Sequence, residues 1–228
     1  RNDEIITTSH TAVATVAGIE QADCKPVFAD IDSGSRCIDP SSIKKRISSK
    51  TRAIIPVHIY GQPCDMHTIY GIAKEYGLEV IEDCSQAHGA EINGQKVGTF
   101  GSLAAFSCYP TKNLGGTGDG GVILCPSLHL AEKLKSLRQY GWNDNRESMF
   151  TGFNSRLDEI QAAILQVKLK YLTISNQKRL SIANKYNEAF FSLPIKLPSL
   201  HENQLHAMHL YVIESERRDE LLCYLREN

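Results

Sequence analysis

No stretch of the 228 residues reaches the ~18 consecutive apolar residues that a membrane-spanning helix needs, and the N-terminus lacks the charged-then-apolar layout of a secretory signal. Charge of one sign is missing too. Lys and Arg number 25 against 26 Asp and Glu, for a formal net charge of -1, so nothing electrostatic points to nucleic acid or an anionic membrane. The seven cysteines (Cys24, Cys37, Cys64, Cys84, Cys108, Cys125, Cys223) are odd in number and never spaced C-x-x-C, which disfavours a disulfide framework and a zinc knuckle. They read as reduced, mostly buried thiols of a cytoplasmic protein. A G-x-x-x-x-G-K-[ST] phosphate loop is absent, as are internal repeats and low-complexity tracts. What remains is a globular chain, 42% hydrophobic and 22% charged, with a small-molecule partner and room for one sizeable core plus part of a second domain.

Local signals outline the elements. Glu4 to Thr8 reads as a short strand, after which Ser9 or Thr11 can cap a small-residue helix to about Ala22. Lys25 to Ile31 is a second apolar run. Asp39-Pro40 places an N-cap ahead of a proline at the first helical position, and the helix runs to about Ser48. Thr51 to Tyr60 is a third strand. Asp65 caps a helix whose Met66, Ile69, Ile72, Ala73 and Tyr76 keep helical spacing until Gly77 ends it. Leu78 to Ile81 is a continuous apolar strand that terminates in Glu82-Asp83. Apolar strands without alternation, separated by helices, predict a mostly parallel α/β sheet covered on both faces. Ligands of such sheets sit beyond the carboxyl ends of the strands, where Asp83 lies.

Downstream, Ser127 caps a helix to about Gln139, and Tyr140 to Asn154 is a polar, aromatic-bearing loop. Ser155 with Asp158 resembles a capping box for one long amphipathic helix bearing Leu157, Ile160, Ile164, Val167 and Leu172. A further helical stretch reaches Phe191. Pro194 and Pro198 mark a linker, and His209 to Ile213 reads as the opening strand of another domain.

The most informative stretch is Phe106 to Gly121. It sets Lys112 between two apolar runs, Ser102 to Tyr109 and Val122 to Cys125, with five glycines among the seven residues 115–121. Such a loop tolerates positive φ and can nest an anion. Its lysine can pair with a phosphate or, when desolvated and neutral, form a Schiff base with an aldehyde. Within the loop, Gly116 to Gly121 satisfies G-x-G-x-x-G, but a strand follows where a dinucleotide fingerprint needs a helix. His201, His206 and His209 cluster without a cysteine or carboxylate partner at ligand spacing, so core or interface histidines are the preferred reading and no metal is expected.

Three motifs in order, Ile81-Glu-Asp-Cys-Ser-Gln-Ala-His-Gly-Ala90, Phe106 to Gly121 and Gly152-Phe-Asn-Ser-Arg-Leu-Asp-Glu-Ile-Gln-Ala-Ala163, resemble the DegT/StrS sugar-nucleotide aminotransferases, as does Pro56 to Pro63. These are fold-type I enzymes dependent on pyridoxal 5'-phosphate. The resemblance runs from about Ile5 to the end of the chain and implies a piece truncated at both ends. It further implies a large cofactor-binding domain over 1–192 and the beginning of a small C-terminal α+β domain over 193–228. By the same resemblance Lys112 matches the Schiff-base lysine, and Asp83 the carboxylate that pairs with the pyridinium nitrogen. Gln86 matches the residue near the cofactor's 3-oxygen, Ser107 a phosphate-binding hydroxyl, and Asn154 a residue reaching the phosphate from the neighbouring subunit of a homodimer. Arg156 is a weaker candidate for that interface.

Each of these also has a plainer explanation. Taken singly, Asp83 can cap a strand end, Ser107 can satisfy a backbone group and Asn154 can be a turn residue. The histidine typical of the family's dehydratases is replaced here by Lys112, which favours transfer of an amino group from an amino acid, glutamate or glutamine, to a keto-sugar nucleotide. A non-catalytic protein that keeps the fold for binding or assembly is the alternative. One departure stands out: Ala12 occupies the place where many members carry a ring that stacks on the cofactor, with His10 as a possible substitute.

Overall fold

The computed structural model describes residues 2–199 and 203–228. The chain opens with strand β1 (Glu4–Thr8), helix α1 (Val13–Gln21), strand β2 (Lys25–Ala29) and helix α2 (Pro40–Arg46). Strand β3 (Thr51–Ile54), a 3-10 turn at Ile59–Gly61, helix α3 (Met66–Tyr76) and strand β4 (Glu79–Asp83) follow. Next come β5 (Glu91–Ile92), β6 (Gln95–Lys96), β7 (Leu103–Ser107) and β8 (Gly121–Leu124). Helices α4 (Leu128–Leu137), α5 (Glu159–Leu169) and α6 (Leu172–Phe190), strand β9 (Gln204–Leu205) and helix α7 (Arg218–Glu227) complete the chain. The main sheet runs β2-β1-β3-β4-β7-β8, parallel except for β8, which returns antiparallel to β7. β6, β5 and β9 form a small antiparallel sheet that the sequence did not announce.

Where the signals were local they held. Asp39 accepts from Ser41 N with Pro40 at the first position of α2, Asp65 accepts from Thr68 N, and Gly77 ends α3 in the left-handed conformation at φ 65°. Ile69, Ile72 and Ala73 of α3 bury together with Ile6, Ile43, Ile54 and Val80 in one core. Burying each of the larger side chains contributes about 1.5–3 kcal/mol, which is what clamps the helices to the sheet.

Five local expectations are corrected. Neither Ser9 nor Thr11 caps α1: the N-cap is Ala12, without a side-chain cap, because the Thr11 hydroxyl is taken up by Thr15 at 2.8 Å. The third strand stops at Ile54, ahead of Pro56, which has no N–H to give a neighbouring strand. The Ser155 capping box does not form, and Asp158 is the N-cap of α5. The amphipathic helix ends at Leu169, so Leu172 opens the further helix instead, and Ile160 and Val167 are 74% and 57% exposed while Leu165 is buried. Residues 209–213 form no strand, since His209 N and Leu210 N both donate to Tyr60 O.

Candidate active site

Parallel strands deliver their carboxyl ends to one edge of the sheet, and there β4 ends in Asp83. Its Oδ2 accepts from Thr15 Oγ1 at 2.7 Å and its Oδ1 from Ser85 N at 3.1 Å, so the first turn of α1 is tied to the strand end. Asp83 pairs in register with Ala105 of β7. Side chains two apart on a strand share a face, which puts Ser107 at the end of β7 on the same side as Asp83. The Ser107 Oγ accepts from Tyr109 N at 3.3 Å.

Lys112 lies just beyond, in the turn where its N–H donates to Tyr109 O at 2.9 Å. Its amine is half-buried. Desolvation pushes its pKa below the ordinary lysine range while the Asp83 carboxylate pulls it back up, which also places the two groups within electrostatic reach of each other. Gln86, three residues past Asp83, accepts from Tyr60 N through Oε1 at 2.6 Å. Its NH2 is thereby the end left to donate. Tyr60 itself sits at φ 60°, a left-handed conformation uncommon for a bulky residue, and the Gln86 bond helps hold it there. His10 is engaged with the same residue, its Nε2 lying 3.1 Å from Tyr60 Oη, while Ala12 is exposed.

Asn154 is elsewhere. It bridges to Gln139 on the exposed loop ahead of α5, and its Oδ1 accepts from Arg156 Nε at 2.9 Å. The structure thus brings Asp83, Gln86, Ser107 and Lys112 to one edge of the sheet and leaves Asn154 outside it, on the surface.

The glycine loop is not an anion nest. None of its glycines has positive φ, Gly116 N donates to Cys108 O, and Thr117 N donates to the Gln161 side chain. Their purpose is close packing: a Cβ would lie 2.5 Å from Pro110 O at Gly115 and 2.6 Å from Gln161 Oε1 at Gly116. Of the clustered histidines, His201 lies outside the described residues. His206 Nδ1 accepts from Met208 N, whereas the His209 Nδ1 meets Asn113 Oδ1. Their nitrogens are spent in different places.

His58, Glu82 and Cys84 bring potential ligand atoms within 4.8 Å of one another, yet the His58 and Glu82 atoms are already used. His58 Nδ1 accepts from Cys64 N, which leaves the ring proton on Nε2, 3.2 Å from Glu82 Oε2. Gly98 N donates to that same oxygen, and Phe100 N and Gly101 N donate to Oε1. Burial opposes ionisation of Glu82, but the bonds from His58 and the backbone outweigh it and hold the carboxyl below its ordinary range. The carboxylate therefore pins the loop after β6 and the His58 turn to the strand that carries Asp83. Glu82→Gln must set an NH2 against two donors whichever way the amide turns. It should lower stability by about 3–5 kcal/mol, the scale of a broken buried charge network, as read by urea unfolding. Because the folded pKa is depressed, the wild-type contribution is present above the ordinary carboxyl value of 4.5 and is lost as pH falls through the depressed value. An unfolding midpoint unchanged by Glu82→Gln would refute this account.

Sequence reading missed Thr15, Tyr60, Asn113 and Glu82 as parts of this region. Thr15 lies within the Ser9–Thr15 segment and Asn113 directly follows Lys112, but only contacts across the chain reveal what each holds.

With the geometry in place, comparison with known proteins is direct. The model of the DegT/DnrJ/EryC1/StrS aminotransferase family matches residues 1–228. A dTDP-3-amino-3,6-dideoxy-alpha-D-galactopyranose transaminase of Aneurinibacillus thermoaerophilus is 47% identical over 225 residues, 99% of this chain and 62% of that protein. Among solved structures, S. venezuelae DesV in complex with a ketimine intermediate superposes with a TM-score of 0.96 at 40% identity, over 99% of this chain and 61% of DesV. Bacillus subtilis NtdA with bound cofactor PMP gives a TM-score of 0.89 at 34% identity, over 99% of this chain and 53% of NtdA. The chain spans about three fifths of the length of the curated relatives it matches. The α/β architecture, the mostly parallel sheet and the whole-chain match together make this chain a member of the DegT/DnrJ/EryC1/StrS aminotransferase family.

Proposed function

We propose that the full-length protein is a pyridoxal-phosphate-dependent aminotransferase that moves an amino group from an amino acid, glutamate or glutamine, to a keto-sugar nucleotide. The observation that carries this reading is the half-buried Lys112 amine within electrostatic reach of the Asp83 carboxylate at the carboxyl edge of the sheet. The donor set suits the cofactor: an amine for its aldehyde, a carboxylate for its ring nitrogen, a carboxamide NH2 and a hydroxyl for its oxygens. When bound, pyridoxal phosphate supplies an electron-withdrawing ring that accepts the electron pair left by a broken Cα–H bond.

The chain's own residues do the rest. Lys112, its proton more easily lost because of desolvation, would hold the cofactor through its amine and move a proton at Nζ. Asp83, oriented by Thr15 and Ser85 N, keeps a proton on the ring nitrogen. Gln86 donates toward the 3-oxygen, and Ser107 donates its hydroxyl toward the phosphate. Substrate class is supported by the relatives' names, which are those of nucleotide-sugar transaminases.

Asn154, outside its own chain's cluster, fits a role at the phosphate of a second subunit. Phe153, Ile160, Val167, Ile174 and Ile182 are exposed apolar side chains of the kind that a homodimer would bury. The division into a large domain over 1–192 and the beginning of a small one over 193–228 is part of the same proposal. No helix among the described residues is long and apolar enough to cross a membrane.

The test is spectroscopic. Full-length protein mixed with pyridoxal phosphate should turn yellow and lose that colour on addition of glutamate or glutamine, and it should elute as a dimer. A colourless monomer, or colour that neither donor nor any other amino acid discharges, would overturn the proposal.

A further inference from the structure

Lys112 is followed by Asn113, whose side chain meets three residues on two separate parts of the fold, helix α6 and the late segment that carries Ala207 and His209. Its Nδ2 donates to Asn176 Oδ1 of α6 at 2.9 Å and to Ala207 O at 2.7 Å. With the NH2 committed in this way, the amide orientation is fixed, and Oδ1 must be the acceptor from His209 Nδ1 at 3.1 Å. That bond sets the His209 tautomer, with the proton on Nδ1. Asn176 in turn donates its own NH2 to His88 O at 2.7 Å.

The segment bearing His209 is pinned at its other side by the Tyr60 turn. Ala207 N donates to Gly61 O at 2.9 Å and His209 N to Tyr60 O at 3.0 Å. A side chain at Gly61, whose φ is 95°, would come within 3.0 Å of Gln86 O and 3.1 Å of Ala207 Cβ, so this approach is as close as the backbone allows. Residues 204–210 are therefore wedged between the turn that Gln86 supports and the residue next to Lys112.

We propose that His209 is a positioning residue for Lys112: through Asn113 it locks the backbone that carries the amine, making the segment 204–210 a working part of the active site. This rests on the reading of Lys112 as the reactive amine. The charged and titratable groups facing Lys112 fit the role. Asp83 approaches from β4, His88 from the loop after it, and His209, backed by Arg179 of α6, from the late segment. Burial first, then neighbouring positive charge including Lys112, pushes His88 and His209 down to about 4, so both imidazoles stay uncharged at neutral pH. Neither ring nitrogen of His88 has a hydrogen-bond partner among the described residues, as suits a neutral ring packed on Phe106. Uncharged neighbours and a fixed backbone keep the amine in its desolvated place.

The experiment measures the amine itself, without turnover. Cofactor-free full-length protein is treated with acetic anhydride across a pH series, and acetylation of Lys112 is followed by peptide mass spectrometry. In His209→Leu the lysine loses its strut and turns to solvent, so its labelling near pH 8 should fall roughly three- to tenfold as its pKa climbs back toward the ordinary lysine range. His209→Asn places a carboxamide NH2 near the position of Nδ1 and should restore wild-type labelling. Asn176→Ala cuts the far end of the strut without touching either residue and should show a smaller loss in the same direction. It decides the matter if His209→Leu does not fold. Wild-type labelling in His209→Leu, or in Asn176→Ala where only that variant folds, overturns the inference. Trapping with pyridoxal phosphate and borohydride separates the two failures: no adduct on wild-type Lys112 removes the functional reading, whereas a normal adduct with unmoved labelling removes only the role of His209.

Discussion

Replacing Lys112 with alanine in the full-length protein should lower transamination by on the order of 10⁴-fold, the upper end of what one positioned acid–base group contributes. Borohydride treatment with pyridoxal phosphate should then leave no covalent adduct at position 112. The size of the effect follows from the site's composition. Asp83, Gln86 and Ser107 surround the edge, but none of them carries an amine, and Lys112 stands within electrostatic reach of Asp83. Desolvation makes this lysine different from its surface counterparts, such as Lys44, whose pKa is raised by its bond to Glu75. A lysine held like Lys44 is fully protonated at neutral pH and a poor nucleophile; Lys112 gives up its proton more readily. The Lys112→Ala chain should keep its fold, because the lysine makes no side-chain hydrogen bond among the described residues. Retained turnover, or a trapped adduct that moves to another lysine, would show that the reactive amine lies elsewhere.

How much of this was legible in the sequence follows from how far each cause acts along the chain. Helix α3 was readable to the residue because its cap, its apolar stripe and its glycine stop all sit within thirteen positions, 65–77. β4 was readable because a short apolar run after the Gly77 stop ends in the acids Glu82 and Asp83, all within a few positions. The break between α5 and α6 was not, since neither proline nor glycine marks Tyr171. It is set by contacts across the chain: Lys168 Nζ donates to Gly115 O, and Asn176 reaches the carbonyl of His88.

Residues 209–213 carry a strand-like composition, yet their donors go to a left-handed turn some 150 positions earlier. Glu82 shows the same limit at the site. Nothing in the sequence gives it a role beside Asp83 at the strand end. Strand alternation sends it to the opposite face, where loop amides consume it. The glycines after Lys112 point to a tight place, but their spacing cannot tell an anion nest from close packing of chain on chain.

That alternation gives the last prediction its shape. Asp83→Asn keeps the size and most of the bonding of the side chain: the amide oxygen can still accept from Thr15 Oγ1 or from Ser85 N, and β4 stays pinned through Glu82 on its other face. The fold should hold, with an unfolding midpoint close to that of the wild type. What is lost is the negative charge, and with it the ability to keep a proton on the cofactor's ring nitrogen. Single-turnover transamination should fall by about 10²–10³-fold, the cost of removing one preorganised electrostatic partner. Cofactor binding should survive in part, since Lys112, Gln86 and Ser107 are unchanged. Losing that charge also removes the influence that raises the Lys112 pKa, so the variant's lysine should acetylate faster than the wild type's at the same pH, opposite in sign to His209→Leu. A variant that transaminates at the parent rate would mean that the acid serving the ring is another residue, and slower acetylation would mean that Asp83 does not face the amine.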